Sequence, residues 1–188
     1  SLFSSLKEKR KTLTKTQTTA LALCKKHLNA SDVVLLNGIT GSGKTEIYMR
    51  LIESELSKGN QALFLVPEIG LTPQISFVLT DRFGDMVKII HSGTSAKKRA
   101  EIWLGAKEGK AQLVVGTRSA IFTPFASLGI VVVDEEHDQS YKQQTGLMYS
   151  ARDLAVVKSK EHRSSLILGS ATPSFESLYN VCLLYTSD

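Results

Sequence analysis

Six short apolar runs constrain the fold of this chain more than any other feature. They are VVLL (33–36), ALFLV (62–66), VKII (87–90), LVV (113–115), IVVV (130–133) and LIL (166–168). The runs are rich in β-branched residues and do not alternate with polar ones, which is typical of strands buried on both faces. Segments of helical character lie between most of them, at 44–57, 73–82, 95–108 and 151–161. Strands that alternate with helices predict an α/β fold, a mostly parallel sheet with helices on both faces.

Length and composition limit the chain to one domain. With 188 residues, 42% of them apolar, it can bury one core but is too short for two. No apolar run approaches the roughly 20 residues that cross a bilayer, and the start lacks the apolar core of a signal peptide. We therefore expect a cytoplasmic protein without a membrane partner. Cys24 and Cys182 form no CxxC pair, which predicts ordinary thiols and no zinc site in this chain.

The net charge of +5 is concentrated at the start of the chain. Residues 1–30 carry seven lysines and arginines against the single acid Glu8. Such a segment can attract nucleic-acid phosphates through counterion release, but solvated lysines on a linker or leading helix explain it as well. We interpret residues 1–12 as a linker or basic arm.

The segment GITGSGKT (38–45) fits the pattern G-x-x-x-x-G-K-[ST], and it follows an apolar run and opens a helical segment. Its glycines let successive backbone N–H groups converge on an anion, and the helix N-terminus adds positive potential. Lys44 would reach the β and γ phosphates and Thr45 would ligate Mg²⁺, so ATP with Mg²⁺ is the predicted ligand. A glycine-rich turn with a solvated lysine is the alternative. The predicted ATP-binding residues of this loop are Gly38, Ile39, Thr40, Gly41, Ser42, Gly43, Lys44 and Thr45.

The run IVVV leads directly into the acidic segment DEEHD (134–138). Asp134 is placed to hold Mg²⁺ and Glu135 to polarise an attacking water. Two carboxylates favour hydrolysis over group transfer, although an acidic turn or a kinase stays open. Glu136 is expected to face solvent or to make a local hydrogen bond. His137 could link the γ-phosphate region to a second ligand, or it could cap a helix or loop.

The segments GITGSGKT, DEEH and GSATPS (169–174) together resemble superfamily 2 helicases. Further segments sharpen the resemblance to the primosomal, replication-restart DNA helicases: LTKTQ (13–17), VPEIGLTPQ (66–74), HSG (91–93), GTRSAIFTPF (116–125), DEEHDQSYKQQ (134–144) and ARDLA (151–155). The resemblance covers residues 13–181. It implies the first RecA-like P-loop NTPase lobe of a 3′-to-5′ helicase that acts at stalled or branched forks. The family's zinc-binding cysteines and second lobe would lie outside this chain.

The resemblance also implies roles for residues outside the phosphate loop. Gln17 would read the adenine edge of ATP, or it is a surface glutamine. Donors to single-strand phosphates would be Thr72, Gln74, Thr117, Arg118 and Ser119, for which helix capping is the alternative. Residues that couple hydrolysis to DNA movement would be His137, Ser170 and Thr172, with a tight turn as the alternative for the last two. Tyr141 and Tyr149 would stack on DNA bases, or they pack in the core.

Two departures from the resemblance stand out. The chain has Leu147, Met148 and Ser150 where the family carries an aromatic residue or proline, an arginine and a histidine, which weakens the DNA-stacking assignment. The tail CLLYTSD (182–188) does not match the family, and we interpret it as a truncated or out-of-frame gene end.

These patterns predict the motor lobe of a DNA helicase. The partners implied are single-stranded and forked DNA, primosome and replication-restart proteins, and single-stranded-DNA-binding protein. Since arginine fingers of this superfamily lie on the second lobe, the isolated lobe should hydrolyse ATP slowly. Two other hypotheses stay open: a nucleotide-dependent DNA or protein binding module without turnover, and a P-loop kinase.

Overall fold

The computed structural model describes residues 10–28, 33–38 and 42–171, and the backbone of 182–185. Its helices are α1 (Lys15–His27), α2 (Lys44–Ser57), α3 (Pro73–Phe83), α4 (Ala96–Lys107) and α5 (Ala151–His162). Its strands are β1 (Val33–Asn37), β2 (Gln61–Leu65), β3 (Val87–Ile90), β4 (Leu113–Gly116), β5 (Leu128–Val133), β6 (Lys142–Gln143), β7 (Tyr149–Ser150), β8 (Ser165–Ser170) and β9 (Cys182–Tyr185). Short 3₁₀ helices span Glu68–Gly70, Gly84–Met86, Arg118–Phe122 and Gln139–Tyr141.

The main sheet has the strand order β3-β4-β2-β5-β8-β1-β9 in the described part of the chain. Every neighbouring pair in it is parallel. β6 and β7 form a separate antiparallel hairpin after β5. Because the strands of the main sheet are parallel, their carboxyl ends meet at one edge, where ligands bind in sheets of this kind.

Both faces of the sheet are covered. In β1, Val34 and Leu36 pack into a cluster with side chains of α1, α2 and α3, whereas Leu35 packs into a second cluster with side chains of α4 and α5. Strands β2 and β5 divide their residues between the clusters in the same alternating way. Since each face has its own apolar cluster, a strand residue is buried whichever way it points. The prediction of a RecA-like α/β fold with helices on both faces is confirmed.

Helix starts are fixed by side-chain caps, with one exception. Thr14, Thr72, Ser95 and Ser150 each accept a backbone N–H in the first turn of α1, α3, α4 and α5. Among the described helices, α2 alone begins at a glycine, Gly43, which supplies no side-chain cap. The first N–H groups of α2 therefore stay available at the carboxyl edge of the sheet.

Two elements were not anticipated from the sequence. The β6–β7 hairpin is too short to give an apolar pattern. β9 pairs in parallel with the outer edge of β1, with Val34 opposite Cys182. The position of this strand depends on an available strand edge and not on a pattern in its own residues, so the interpretation of residues 182–188 as a non-family tail stays a hypothesis. No helix in the described ranges is long and apolar enough to cross a membrane.

Cys24 lies on the buried face of α1, with no solvent exposure. Burial raises the pKa of its thiol to about 11. At pH 8 such a thiol is about 0.1% thiolate, against about a quarter for an ordinary cysteine, and the thiolate is the reactive form. Burial and low ionisation should therefore both protect Cys24.

We expect Cys24 to be unreactive in the folded protein. In a Cys182→Ser variant, which leaves Cys24 as the one remaining cysteine, Ellman's reagent at pH 8 should release almost no colour over several minutes. The same sample in guanidinium chloride should titrate one thiol per chain. Rapid and complete labelling of the folded variant would contradict the packing of α1 on the sheet.

Candidate functional site

A cleft of about 560 Å³ opens at the carboxyl edge of the sheet. This volume is within the usual range for small-molecule sites. Its walls bring together eight of the residues selected from sequence, namely Gln17, Gly43, Lys44, Thr45, Thr72, Gln74, Asp134 and Glu135. The segment before α1 also contributes to the cleft through Lys11 and Thr12, which the sequence assigned to the linker.

The phosphate loop leads from β1 into α2 along one wall of this cleft. Gly38 at its start donates its backbone N–H to Ser170 O at 2.9 Å. Gly43 has φ 83°, a left-handed backbone conformation that favours glycine, and a Cβ added there would lie 2.2 Å from Gln17 Nε2 and displace that side chain. The buried hydroxyl of Ser42 has no hydrogen-bond partner among the described residues, which fits a site for an anion. Ile39, Thr40 and Gly41 lie outside the described residues.

Lys44 connects the loop to the acidic strand end. It is buried, and its Nζ donates to the carbonyl oxygen of Gly38 and lies 3.5 Å from Glu135 Oε1. The ammonium group therefore stands between the loop backbone and a carboxylate. A phosphate bound in the loop would give it a second anionic neighbour.

Hydrogen bonds to both its backbone and its side chain hold Asp134 in place. Its N–H donates to Leu65 O at 2.9 Å, its carbonyl oxygen accepts from Tyr141 Oη at 2.6 Å, and its Oδ1 accepts from Tyr48 Oη at 3.0 Å. Burial, and then the charge of Glu135, raises the pKa of the Asp134 carboxyl, while Tyr48 and Lys44 act in the opposite direction. A cation bound at this carboxyl would favour its ionised form.

Glu135 adopts an unusual backbone conformation, with φ 46°. A residue with a side chain in this left-handed region costs roughly 1–2 kcal/mol. The turn aims the carboxylate back into the cleft, where Oε1 faces Lys44 and Oε2 accepts the backbone N–H of Ala171 at 3.3 Å. Glu135 thereby joins the end of β5, the phosphate loop and the end of β8.

His137 lies between the acidic turn and β8. Its Nδ1 is in hydrogen-bond contact with Ser170 Oγ at 2.9 Å and lies 3.9 Å from Glu135 Oε2. Ser170 is itself buried. The predicted coupling residues His137 and Ser170 are thus in direct contact with each other, and Thr172 lies outside the described residues.

Gln17 is not a free surface glutamine. Its Oε1 accepts the backbone N–H of Thr14 at 3.0 Å, while Thr14 Oγ1 accepts the N–H of Gln17 at 3.2 Å. This reciprocal pair is a capping box, which the T-x-x-Q spacing in the sequence indicates. Gln17 Nε2 also donates to Ser42 O at 2.7 Å, so the side chain spans α1 and the phosphate loop.

The residues after β2 and β4 that were predicted to contact DNA have different surroundings. Thr72 caps α3 by accepting the N–H of Ile75, and the exposed Gln74 also lines the cleft. Arg118 donates from one nitrogen to Ser140 O at 3.2 Å and to Lys142 O at 2.9 Å, which fastens the base of the β6–β7 hairpin. Ser119 accepts from Arg99 at 2.9 Å. Thr117 is buried, and its role as a donor to phosphates stays a prediction.

The two tyrosine candidates differ. Tyr141 is 1% exposed and its hydroxyl is used at Asp134, so it packs in the core and its assignment as a base-stacking residue is wrong. Burial is the main cause that raises its pKa well above the usual value. Tyr149 is partly exposed and packs edge-on against Phe122 at 4.9 Å between ring centres. Leu147 (75%) and Met148 (76%) are large apolar side chains of this segment that are strongly exposed.

Glu136 corrects a second expectation. It does not face solvent: its side chain is buried, and Oε2 lies 3.4 Å from Nε of Arg152 on α5. Burial here follows from the turn at Glu135, which directs the next residue beneath the sheet edge, where its N–H donates to Gly169 O at 2.8 Å.

Sequence reasoning missed Tyr48 altogether. It follows Lys44 by four residues on α2 and therefore lies on the same face of the helix. This spacing is the signal that could have found it, because a residue one turn beyond the phosphate-loop lysine must face the same sheet edge as that lysine.

The family profile described as DEAD/DEAH box helicase matches residues 14–181. The chain belongs to the DEAD/DEAH box helicase family. Within the family it is similar to two proteins called replication restart protein PriA. It is 48% identical over 174 residues to that of Haemophilus influenzae, with 93% of this chain and 24% of the relative covered. It is 48% identical over 145 residues to that of Bacillus subtilis, with 77% and 18% covered.

This helicase chain therefore spans about a quarter or less of the length of these relatives. The resemblance to replication-restart helicases is confirmed over that part. Solved helicase structures share the fold at low identity. A hypothetical ATP-dependent RNA helicase from Sulfolobus tokodaii is 20% identical, with TM-score 0.64 over 98% of this chain and 56% of the other. RecG bound to a three-way DNA junction is 20% identical, with TM-score 0.58 over 89% and 22%.

Proposed function

We propose that this chain is the ATP-binding motor lobe of a 3′-to-5′ DNA helicase that acts in replication restart. In the whole protein it would couple ATP hydrolysis to translocation on single-stranded DNA. The observation that carries the proposal is the convergence of the phosphate loop, Lys44 and the Asp134–Glu135 pair in one cleft.

The residues of the cleft suit a nucleotide with its magnesium ion. Mg²⁺ keeps several waters and takes one or two protein oxygens plus phosphate oxygens, and Asp134 and Thr45 line the same cleft to supply such oxygens. Lys44 and the unpartnered hydroxyl of Ser42 would bind phosphate oxygens. Glu135 would then orient and polarise the attacking water. Bound Mg²⁺ supplies charge neutralisation at the phosphates.

The hydrogen bonds that Gln17 makes in the structure leave its side chain able to bind the edge of adenine. A glutamine side chain has two N–H donors and two acceptor positions, and the hydrogen bonds of Gln17 with Thr14 and Ser42 use one of each. The remaining donor and acceptor match the N7 acceptor and N6 donor of adenine. We therefore propose that Gln17 selects ATP and joins its base to the loop through Ser42.

DNA and protein partners are proposed from the relatives and from the surface. The PriA relatives are named for replication restart, and RecG was solved with a DNA junction. We propose that Thr72, Gln74, Arg118, Ser119 and Tyr149 face single-stranded DNA. Forked DNA, primosome and replication-restart proteins, and single-stranded-DNA-binding protein would contact the whole protein, in the cytoplasm.

Isothermal titration of this chain with ATP and Mg²⁺ tests the proposal. We expect one site per chain and slow hydrolysis, because an arginine finger from a second lobe contributes about 10³- to 10⁵-fold in rate. The absence of nucleotide binding at millimolar ligand would overturn the proposal. Rapid DNA-stimulated hydrolysis by this chain alone would contradict the role assigned to a second lobe.

Glu135→Gln separates a hydrolase from a binding module without turnover. The amide keeps the size of the side chain but cannot accept a proton from water. We expect the variant to bind ATP as tightly as the parent while its hydrolysis of radiolabelled ATP falls to background. Glu101→Gln, on the exposed face of α4, is the matched control and should hydrolyse normally. Equal hydrolysis by all three proteins would favour the binding module and a contaminating ATPase.

A further inference from the structure

The hydroxyl group of Tyr48 donates a hydrogen bond to the Asp134 carboxylate, from Oη to Oδ1 at 3.0 Å. The hydrogen bonds to Leu65 and from Tyr141 use only the backbone of Asp134 and fix the position of its Cα. The carboxylate also accepts from the backbone N–H of the adjacent Glu135. Tyr48 is therefore the side chain from a distant element that orients this carboxylate.

Tyr48 is itself rigidly placed. It lies on α2 one turn beyond Lys44 and is fully buried. Its ring packs edge-on against Phe64 of β2, with 5.7 Å between ring centres and an angle of 63°. A buried tyrosine normally directs its hydroxyl to one partner, and the same burial, followed by the charge of Asp134, raises its pKa well above the usual value. Tyr48 thus donates its proton and does not compete as an anion.

Gly169 provides the space that the hydroxyl occupies. A Cβ added at Gly169 would lie 1.7 Å from Tyr48 Oη and 3.2 Å from Asp134 Oδ1. Gly169 is not among the residues with positive φ, so its backbone conformation does not require glycine. The close approach of the tyrosine does require it. Helix α2, the end of strand β5 and strand β8 therefore meet where the Tyr48 hydroxyl contacts the Asp134 carboxylate.

We propose that Tyr48 is a positioning residue for Asp134: its hydroxyl binds Oδ1 in the space at Gly169 and directs Oδ2 toward the magnesium ion of the bound nucleotide. This inference rests on the proposed function, since it assumes that Mg-nucleotide binds in the cleft. It also explains why α2 carries both Lys44 and Tyr48. One helix then sets the positions of the phosphate-binding ammonium and of the metal-binding carboxylate.

The test is the magnesium dependence of nucleotide binding, measured by the fluorescence of a methylanthraniloyl-labelled ATP analogue that is not hydrolysed. Groups that orient metal ligands typically contribute 10- to 100-fold to metal affinity. For Tyr48→Phe we expect the Mg²⁺ concentration at half-maximal binding to rise about 10-fold, at the low end of that range. Binding of the analogue in EDTA should not change, because the Tyr48 hydroxyl donates to the proposed metal ligand Asp134.

Phe64→Leu is the matched control. It loosens the packing around the Tyr48 ring and lowers the melting temperature, but it keeps the hydroxyl. Its Mg²⁺ half-saturation should stay within about twofold of the parent, as expected for a core change that removes no polar partner. An equal rise in both variants would show that Tyr48 serves only packing and would overturn the proposal.

Gly169→Ala is an independent second variant, in which the tyrosine is retained but its hydroxyl is displaced. We expect it to shift the Mg²⁺ dependence in the same direction as Tyr48→Phe. Parent-like Mg²⁺ dependence in a folded Tyr48→Phe variant overturns the positioning role alone. Failure of the parent chain to bind the analogue with or without Mg²⁺ would instead overturn the proposed function.

Discussion

Replacing Lys44 by alanine is expected to weaken Mg-ATP binding to this chain by about 100-fold, because a charged group at a desolvated site contributes about 1.5–3 kcal/mol for each hydrogen bond it makes. Lys44 is buried and its ammonium group lies 3.5 Å from Glu135. Its removal leaves the carboxylates of Asp134 and Glu135 facing the triphosphate without that positive charge. Isothermal titration with a non-hydrolysable ATP analogue and Mg²⁺ measures the loss directly.

Lys107→Ala is the control for charge alone. Lys107 lies exposed in the last turn of α4, and its replacement by alanine changes the net charge by the same amount as Lys44→Ala. The affinity of this variant for the analogue should match that of the parent at physiological salt, because Lys107 is exposed and does not line the cleft, and salt screens exposed charges. A Lys44→Ala variant that binds within about threefold of the parent, roughly the scatter expected of a peripheral change, would place the phosphates elsewhere.

Replacing Arg82 by methionine should destabilise the fold by about 3–5 kcal/mol, which is the usual effect of removing one partner from a buried ion pair. Arg82 lies on α3 with 4% exposure, 2.7 Å from Glu46 and 3.3 Å from Glu53, both on α2. Arg50 and Arg10 contact the same two glutamates at 2.9 and 3.0 Å. The methionine would leave buried carboxylates with fewer cations. Urea unfolding followed by circular dichroism measures the change.

A second substitution distinguishes the effect of an unpaired buried charge on stability from the effect of lost packing. Glu46 and Glu53 both lose Arg82 in the single variant, and each keeps one other arginine, Arg50 or Arg10. The double variant Arg82→Met, Glu53→Met also removes one of these two buried carboxylates. We expect at least about 1 kcal/mol of the lost stability to return, because apolar replacement of a complete buried pair is often close to neutral. Lys107→Met should change stability by less than about 0.5 kcal/mol. A double variant less stable than Arg82→Met would mean that packing dominates.

Elements with a strong local pattern were predicted well from the sequence. The predicted helix 44–57 and strand 87–90 coincide with α2 and β3, because glycine and lysine chemistry marks the start of the first and β-branched residues mark the second. The positions of β9 and of the β6–β7 hairpin depend on contacts with distant strands and loops. Such contacts leave no periodic pattern in a few residues, so the sequence could not indicate them.

In the candidate site, too, the residues of contiguous motifs were predicted well and the others were not. The contiguous motif residues Lys44, Asp134 and Glu135 converge in the cleft as the sequence predicted, because parallel strands end at one edge. For Tyr141 core packing was one of two alternatives, and Glu136 was expected to face solvent or to make a local hydrogen bond, because burial just after a strand depends on what packs over the turn. The Tyr141 hydroxyl donates to the backbone of Asp134 and the Glu136 carboxylate lies against Arg152, and residue type alone does not indicate either contact.

The left-handed backbone of Glu135 lowers the stability of the fold at a residue to which we assign a chemical role. Glycine would adopt φ 46° without steric conflict, so the turn would form more readily with no side chain at all. A library of variants sorted only for heat resistance should therefore drift toward glycine at this position and lose the carboxylate that we propose polarises the attacking water. Selection for a more stable lobe should keep Glu135 fixed, because the strained backbone belongs to the residue that we propose serves turnover.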